Sequence, residues 1–293
     1  MIAKLFPDIV SGVWAINKEA AEGYLPFIVS ILKGQTPTGE DYSEARQRSR
    51  SISYATFTGS AFNLTRRTED EDIPDNSIAI ISIKDPVTKY DMYCGPEGML
   101  SKIERMQMAD ADERIKAVML DIDTPGGEGY AALAMVTAIK AMNTPVISFI
   151  NDFATSAGYM IASVSDEIFA NSELAITGSI GTYIQVADFR KQLEMEGINL
   201  HTIYAKDSTD KNRDYKEAIN YNYELVQARA NRFNDEFLST VKTGRSDRLK
   251  SDQEDWGTGR TFYAGEALEM GLIDGIKGFE DTLQHIFDNL INS

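Results

Sequence analysis

Cysteine, histidine and positive charge are scarce in this sequence, and each shortage excludes a class of function. The single cysteine, Cys94, cannot close an intramolecular disulfide and leaves no thiolate cluster for a structural zinc site. Only two histidines are present, His201 and His285, too far apart in sequence to suggest an imidazole-rich metal centre. Chemistry in this chain must run largely without imidazole. There are 29 Lys and Arg residues against 45 Asp and Glu, a net charge of −16, and no basic patch offsets it, so a nucleic acid partner is not expected. A long apolar run is missing too. Asp8, Lys18, Glu19 and Glu22 interrupt the N-terminus before a signal region or a span of ~20 residues could form, so no membrane anchor is expected and the reading is cytoplasmic.

What is present is an ordinary globular composition, 43% hydrophobic, 10% aromatic and 25% charged, over 293 residues. That length can bury a sizeable core. Residues 1–72 read as an N-terminal arm: one or two amphipathic helices, a polar stretch at 34–51, and a mixed-charge connection at 66–76. Residues 73–293 read as the main domain. There, short β-branched runs at 77–83, 117–123, 145–150 and 167–170 are bounded by turn signals and alternate with helical stretches at 97–108, 128–142 and 156–163. This alternation implies parallel crossover units and an α/β layer fold. Further along, Val186, Phe189 and Leu193 keep helical spacing ahead of a Gly197 stop, and the alternating segment 198–204 reads as a strand. The series Ile219, Tyr223, Val226, Ala230, Phe233, Phe237 and Val241 predicts one long helix with an apolar face, either core or subunit interface. Short helices after Ala264 and Phe279 close the chain.

Two glycine-marked turns each follow a strand and precede a helix. In D-T-P-G-G-E-G (123–129), Pro125 pins the backbone and Gly126-Gly127 can leave bare N–H groups aimed at a negative oxygen. A phosphate cradle is the rival reading, but neither a P-loop pattern nor a dinucleotide fingerprint is present. In A-T-S-A-G-Y-M (154–160), Ser156 sits where a strand-to-helix turn can expose a nucleophile; alone, the same serine would serve as an N-cap. The two turns lie about 30 residues apart. A serine needs a base to become nucleophilic. Both histidines read as structural residues, whereas a lysine can serve if burial keeps its amine neutral. Lys206, Lys211 and Lys216 are available between the segment 198–204 and the long helix, each by default a solvated surface charge.

With these residues in view, the chain resembles the S49 serine peptidases, the signal peptide peptidase A family together with phage capsid-associated proteases. The resemblance is carried by D-x-D-T-P-G-G, T-S-A-G-Y-M-I-A followed by S-D-E-I-F-A, I-T-G-S-I-G (176–181) and R-T-F-Y-A-G-E-A-L-E-M-G-L-I-D (260–274), in that order and over about residues 78–283. It implies a ClpP/crotonase-like core of parallel βα units with an N-terminal helical arm. It implies a Ser/Lys dyad with no metal or cofactor, in which Ser156 is the nucleophile. The base is Lys211 in the phage-type S-x-x-K-N pattern (208–212), or Lys206. The family's usual G-x-x-K segment reads A-K-D-S-T-D-K-N here, which puts Thr209 near the lysine position without a gap. Ser179 takes the place of the serine that hydrogen-bonds the lysine, and Gly126 or Gly127 with the Ala157 N–H would form the oxyanion hole. The resemblance further implies peptide substrates, scaffold or head proteins of a phage or prophage among them, and a ring-shaped homo-oligomer whose dyad can be shared between protomers. Two other readings share the fold: a catalytically inactive ring-forming assembly protein, supported by the displaced lysine segment, and a crotonase-type acyl-CoA enzyme, in which Ser156 and the downstream lysine would have no evident role.

Overall fold

The computed structural model describes residues 14–16, 52–67, 73–91 and 97–292, with the backbone alone described at 14–16 and 66–67. The polar stretch at 34–51, Cys94 and most of the arm segment expected to be helical lie outside the described residues; Trp14–Ile16, within that segment, is a strand instead, because it pairs with Gly126–Glu128. In chain order the elements are β1 (Trp14–Ile16), β2 (Ile52–Phe57), β3 (Phe62–Arg67), β4 (Ser77–Lys84), α1 (Met99–Ala111), β5 (Ile115–Thr124), β6 (Gly126–Glu128), α2 (Gly129–Lys140), β7 (Val146–Thr155), α3 (Ala157–Ala162), β8 (Glu167–Ala170) and β9 (Ile176–Gly178). There follow α4 (Arg190–Met195), α5 (Arg213–Ala218), α6 (Glu224–Arg245), α7 (Gln253–Trp256), β10 (Thr261–Tyr263), α8 (Ala264–Met270), β11 (Gly275–Ile276) and α9 (Phe279–Ile286).

One mixed sheet organises the chain, in the order β10-β9-β7-β5-β4-β2-β3. Strands β4, β5, β7 and β9 run parallel, as expected from apolar strands separated by helices, and β8 pairs in parallel with the first half of β7 while β9 takes its second half. The sheet therefore forks along β7, which ends at Thr155, just before Ser156. Side chains alternate between two apolar layers. Ile81, Ile83, Leu120 and Ile122 face a core roofed by Met106 of α1, by Met135 and Ile139 of α2, and by Phe233 and Phe237 of α6. Ile78, Ile80, Met119 and Phe149 face a smaller layer closed by Leu283 and Ile286 of α9. Among the described residues, no helix is long and apolar enough to cross a membrane.

Three features depart from the sequence reading. Residues 52–67, assigned there to the arm, form a hairpin whose strand β2 adds antiparallel to β4, because Ile52, Tyr54 and Ala55 bury against the core strands. The alternating segment 198–204 forms no strand: it finds no sheet edge within the chain, and Leu200 and Ile203 stand 73% and 92% exposed. The long helix begins at Glu224 rather than at Ile219, since Tyr221 adopts φ 66° and separates α5 from α6. Beyond that break the apolar stripe Val226, Ala230, Phe233, Phe237 and Val241 is buried, as core.

Candidate active site

Three chain reversals meet at the carboxyl ends of the adjacent strands β5, β7 and β9, the usual position for a site in an α/β sheet. The pairings Thr124↔Ala154 and Thr155↔Gly178 set them side by side. Ser156 follows β7 and caps α3, with φ 57° and ψ −119°. A side chain at that backbone setting is strained by about 1–3 kcal/mol and persists only where its surroundings hold it. Here the Ser156 N–H donates to the Gly178 carbonyl (2.8 Å), and the Ser156 carbonyl accepts from the Met160 N–H (2.9 Å). The residue is 1% exposed, and its hydroxyl makes no hydrogen bond among the described residues. Next in sequence, the Ala157 N–H opens α3 and has no intrahelical partner.

The glycine turn lies against α3. A Cβ on Gly158 would meet the Thr124 methyl at 2.4 Å, so the two turns approach as closely as backbone and a methyl allow. Thr124, fully buried, donates its hydroxyl to the Asp85 carbonyl (2.5 Å) and accepts the Gly126 N–H (3.2 Å). Gly126 takes φ 102°, a setting suited to glycine. At Gly127 a Cβ would fall 2.1 Å from the Val87 carbonyl oxygen, which excludes any larger residue. Beside the turn, burial and then the charge of Asp152 raise the Asp123 carboxyl above its ordinary range.

Ser179 directly follows β9. Its φ is 51° and its N–H donates to the Arg260 carbonyl (2.7 Å), which ties it to the β10 segment. The fold thus brings together Ser156, Ser179, Gly126, Gly127 and Ala157. The lysines lie at the surface. Lys206 and Lys211 are exposed and line a shallow depression with Tyr204, Lys216, Glu217 and Asn222, and no hydrogen bond among the described residues joins either lysine to Ser156 or Ser179. Neither histidine hydrogen-bonds a residue of this site among the described residues: His201 is exposed, and His285 bonds Glu167 (2.8 Å) edge-on to Phe169.

Two supports lie in motifs that the sequence singled out without assigning them a role. Thr124 reads as an ordinary strand end, yet it holds both the glycine turn and α3. The segment 260–274 braces the site from below: the Tyr159 hydroxyl of α3 donates to the Leu272 carbonyl (2.8 Å), while the fully buried Arg245 forks onto Asp274 (2.9 and 2.7 Å) and donates to the Gly271 carbonyl (3.0 Å). Asp274 also accepts the Ile168 N–H (2.8 Å). Removing one partner leaves a buried charge uncompensated, so Asp274→Ala is expected to cost about 3–5 kcal/mol, read as a lower urea midpoint at unchanged m-value.

The chain is similar to several known proteins. Over 270 residues the chain is 26% identical to an Enterococcus faecium protein named for signal peptide peptidase SppA, covering 88% of this chain and 76% of that protein. It is 27% identical over 224 residues to capsid assembly protease C of Escherichia phage lambda, covering 73% of this chain and half of the phage protein. Among solved structures, a membrane-bound stomatin-specific protease overlays with a TM-score of 0.45 at 17% identity, covering 73% of this chain and 85% of that one. The model of peptidase family S49 matches residues 138–290, just over half of the chain, a span that holds Ser156, Ser179, both lysines and the Arg245–Asp274 brace. On the strength of that match, the chain belongs to peptidase family S49.

Proposed function

We propose that the chain is a serine endopeptidase acting through a Ser/Lys dyad. The observation that carries this reading is the strained turn at Ser156, packed against the Gly126-Gly127 turn in a member of a peptidase family. In this reading the Ser156 Oγ attacks a peptide carbonyl while Lys211 accepts its proton. The C–N bond breaks as the lysine returns that proton to the leaving amine, and water deprotonated by the same lysine hydrolyses the ester. Ser179 orients the amine. The Ala157 N–H, with that of Gly126 or Gly127, receives the oxyanion, donors worth about 3–4 kcal/mol each in other enzymes.

A single chain leaves Lys211 in solvent, and a neighbouring protomer would correct this. The segment that leads to it exposes Met195, Ile198, Leu200, Ile203 and Tyr204, an apolar run that needs a cover. A ring of like subunits, each lending its lysine segment to the next, accounts for both facts. The likeness to a capsid assembly protease supports phage or prophage head proteins as substrates. Intact-mass analysis after treatment with a fluorophosphonate tests the reading: one adduct mapped to Ser156 is expected, and no adduct on the assembled protein would sink it.

The exposure of Lys206 and Lys211 also favours a second reading, an assembly protein that keeps the fold without proteolysis. Co-expression with a candidate head protein separates the two, since the peptidase reading requires processing by the wild type that Ser156→Ala abolishes.

A further inference from the structure

Strand β6 continues the glycine turn, and its two edges are occupied differently. On the inner edge, the buried Val87 donates to the Gly126 carbonyl (2.8 Å) and accepts the Glu128 N–H (2.8 Å), a parallel bridge centred on Gly127. Successive residues of a strand point their N–H and C=O groups to opposite sides. With Gly126 and Glu128 committed to Val87, Gly127 therefore directs its N–H and C=O outward. On that outer edge runs β1, antiparallel, with Ala15 opposite Gly127, Trp14 opposite Glu128 and Ile16 opposite Gly126.

An exposed strand edge is a template for an extended peptide, which gains backbone hydrogen bonds there whatever its side chains. The outer edge of β6 is contiguous with the Gly126 turn and packed immovably on Val87, where even a methyl at Gly127 would collide. A protein substrate that brings a carbonyl to Ser156 must lie extended beside this turn. We infer that the outer edge of Gly126–Glu128 is a docking edge for the substrate backbone, and that the chain's own Trp14–Ile16 is its resident occupant, a strand that a substrate must displace. This inference rests on the peptidase reading. It makes the N-terminal segment an internal competitor: where Gly127 supplies an oxyanion donor, β1 engages that donor as well. Being tethered, β1 competes at an effective concentration that a free peptide must match.

Ala15→Pro tests this in the full chain, because proline removes the N–H facing the Gly127 carbonyl and its ring cannot sit in a paired ladder. Ala15→Val is the control, keeping the N–H and favouring an extended backbone. Two readouts are needed: hydrogen–deuterium exchange over residues 126–128, and rates of Ser156 labelling by an extended peptidyl phosphonate and by a small alkyl fluorophosphonate. In Ala15→Pro, exchange is expected to quicken and the peptidyl rate to rise about tenfold relative to the alkyl rate, the effect of one or two lost hydrogen bonds, with Ala15→Val behaving as wild type. Unchanged exchange would mean that β1 does not hold this edge, and faster exchange with an unchanged ratio of rates would mean that peptides dock elsewhere; either overturns the inference. No adduct from either probe in any variant overturns the peptidase reading and this inference together, whereas adducts at equal ratios overturn this inference alone.

Discussion

Ser156→Ala is expected to lower peptide hydrolysis by at least ~10⁴-fold and to abolish the fluorophosphonate adduct while leaving the fold intact. The size of the effect follows from the site: the nucleophile is one hydroxyl on one turn, and Ser179 is held on a separate turn after β9 by its own N–H bond to the Arg260 carbonyl. The companion variant Ser156→Gly separates chemistry from conformation. It is equally inactive, yet it relieves a side chain held at φ 57° and ψ −119°. Strain relief of about 1–3 kcal/mol, less the extra chain entropy of glycine, leaves a net stabilisation of about 1 kcal/mol. A higher urea midpoint for Ser156→Gly than for Ser156→Ala is the expected result. Were the glycine variant the less stable of the two, the turn would not be storing strain for the nucleophile, and the structural argument for Ser156 would lose its basis.

Lys211→Ala is expected to reduce hydrolysis by about 10³- to 10⁴-fold, against no more than about threefold for Lys206→Ala. Lys211→Arg should not rescue, since a guanidinium stays protonated and cannot take a proton from the serine. Because Lys211 stands exposed on a segment with unburied apolar side chains, the same variants also test sharing of the dyad. Mixing inactive Ser156→Ala with inactive Lys211→Ala is expected to restore activity in co-assembled rings, as one intact serine meets one intact lysine across an interface. Restored activity excludes a dyad confined to one chain. Wild-type rates for Lys211→Ala would remove this residue as the base, and a large loss in Lys206→Ala alone would transfer the role.

Local pattern and tertiary placement divide the account of this molecule between them. The βα alternation is legible because buried parallel strands read as short apolar runs between helices, and β4, β5, β7 and β8 fall where those runs lie. Ser156 and the glycine pair are legible for a related reason: a turn between strand and helix must be built from small residues, and these positions carry them. The segment 198–204 misleads because alternation describes a strand's two faces but not its partners, and this chain offers it none. The hairpin at 52–67 is missed because charged neighbours on both sides blur its boundary with the arm, while burial of Ile52 and Tyr54 against β4 decides its membership.

From its residues alone, this chain specified an α/β layer core, a chemistry without imidazole, and two glycine-marked turns one of which bears a serine. Local propensity and period suffice for these, since each depends on neighbours a few positions away. Only the tertiary structure decided that Thr124 and Gly158 lock the turns together, that Leu272 holds α3 from a segment pinned by the Arg245–Asp274 pair, that both lysines are exposed and make no hydrogen bond to Ser156 among the described residues, and that Trp14–Ile16 lies along the strand leading out of the glycine turn. Those relations join residues up to more than a hundred positions apart, and they arise from burial and strand register, which no local window of the sequence contains.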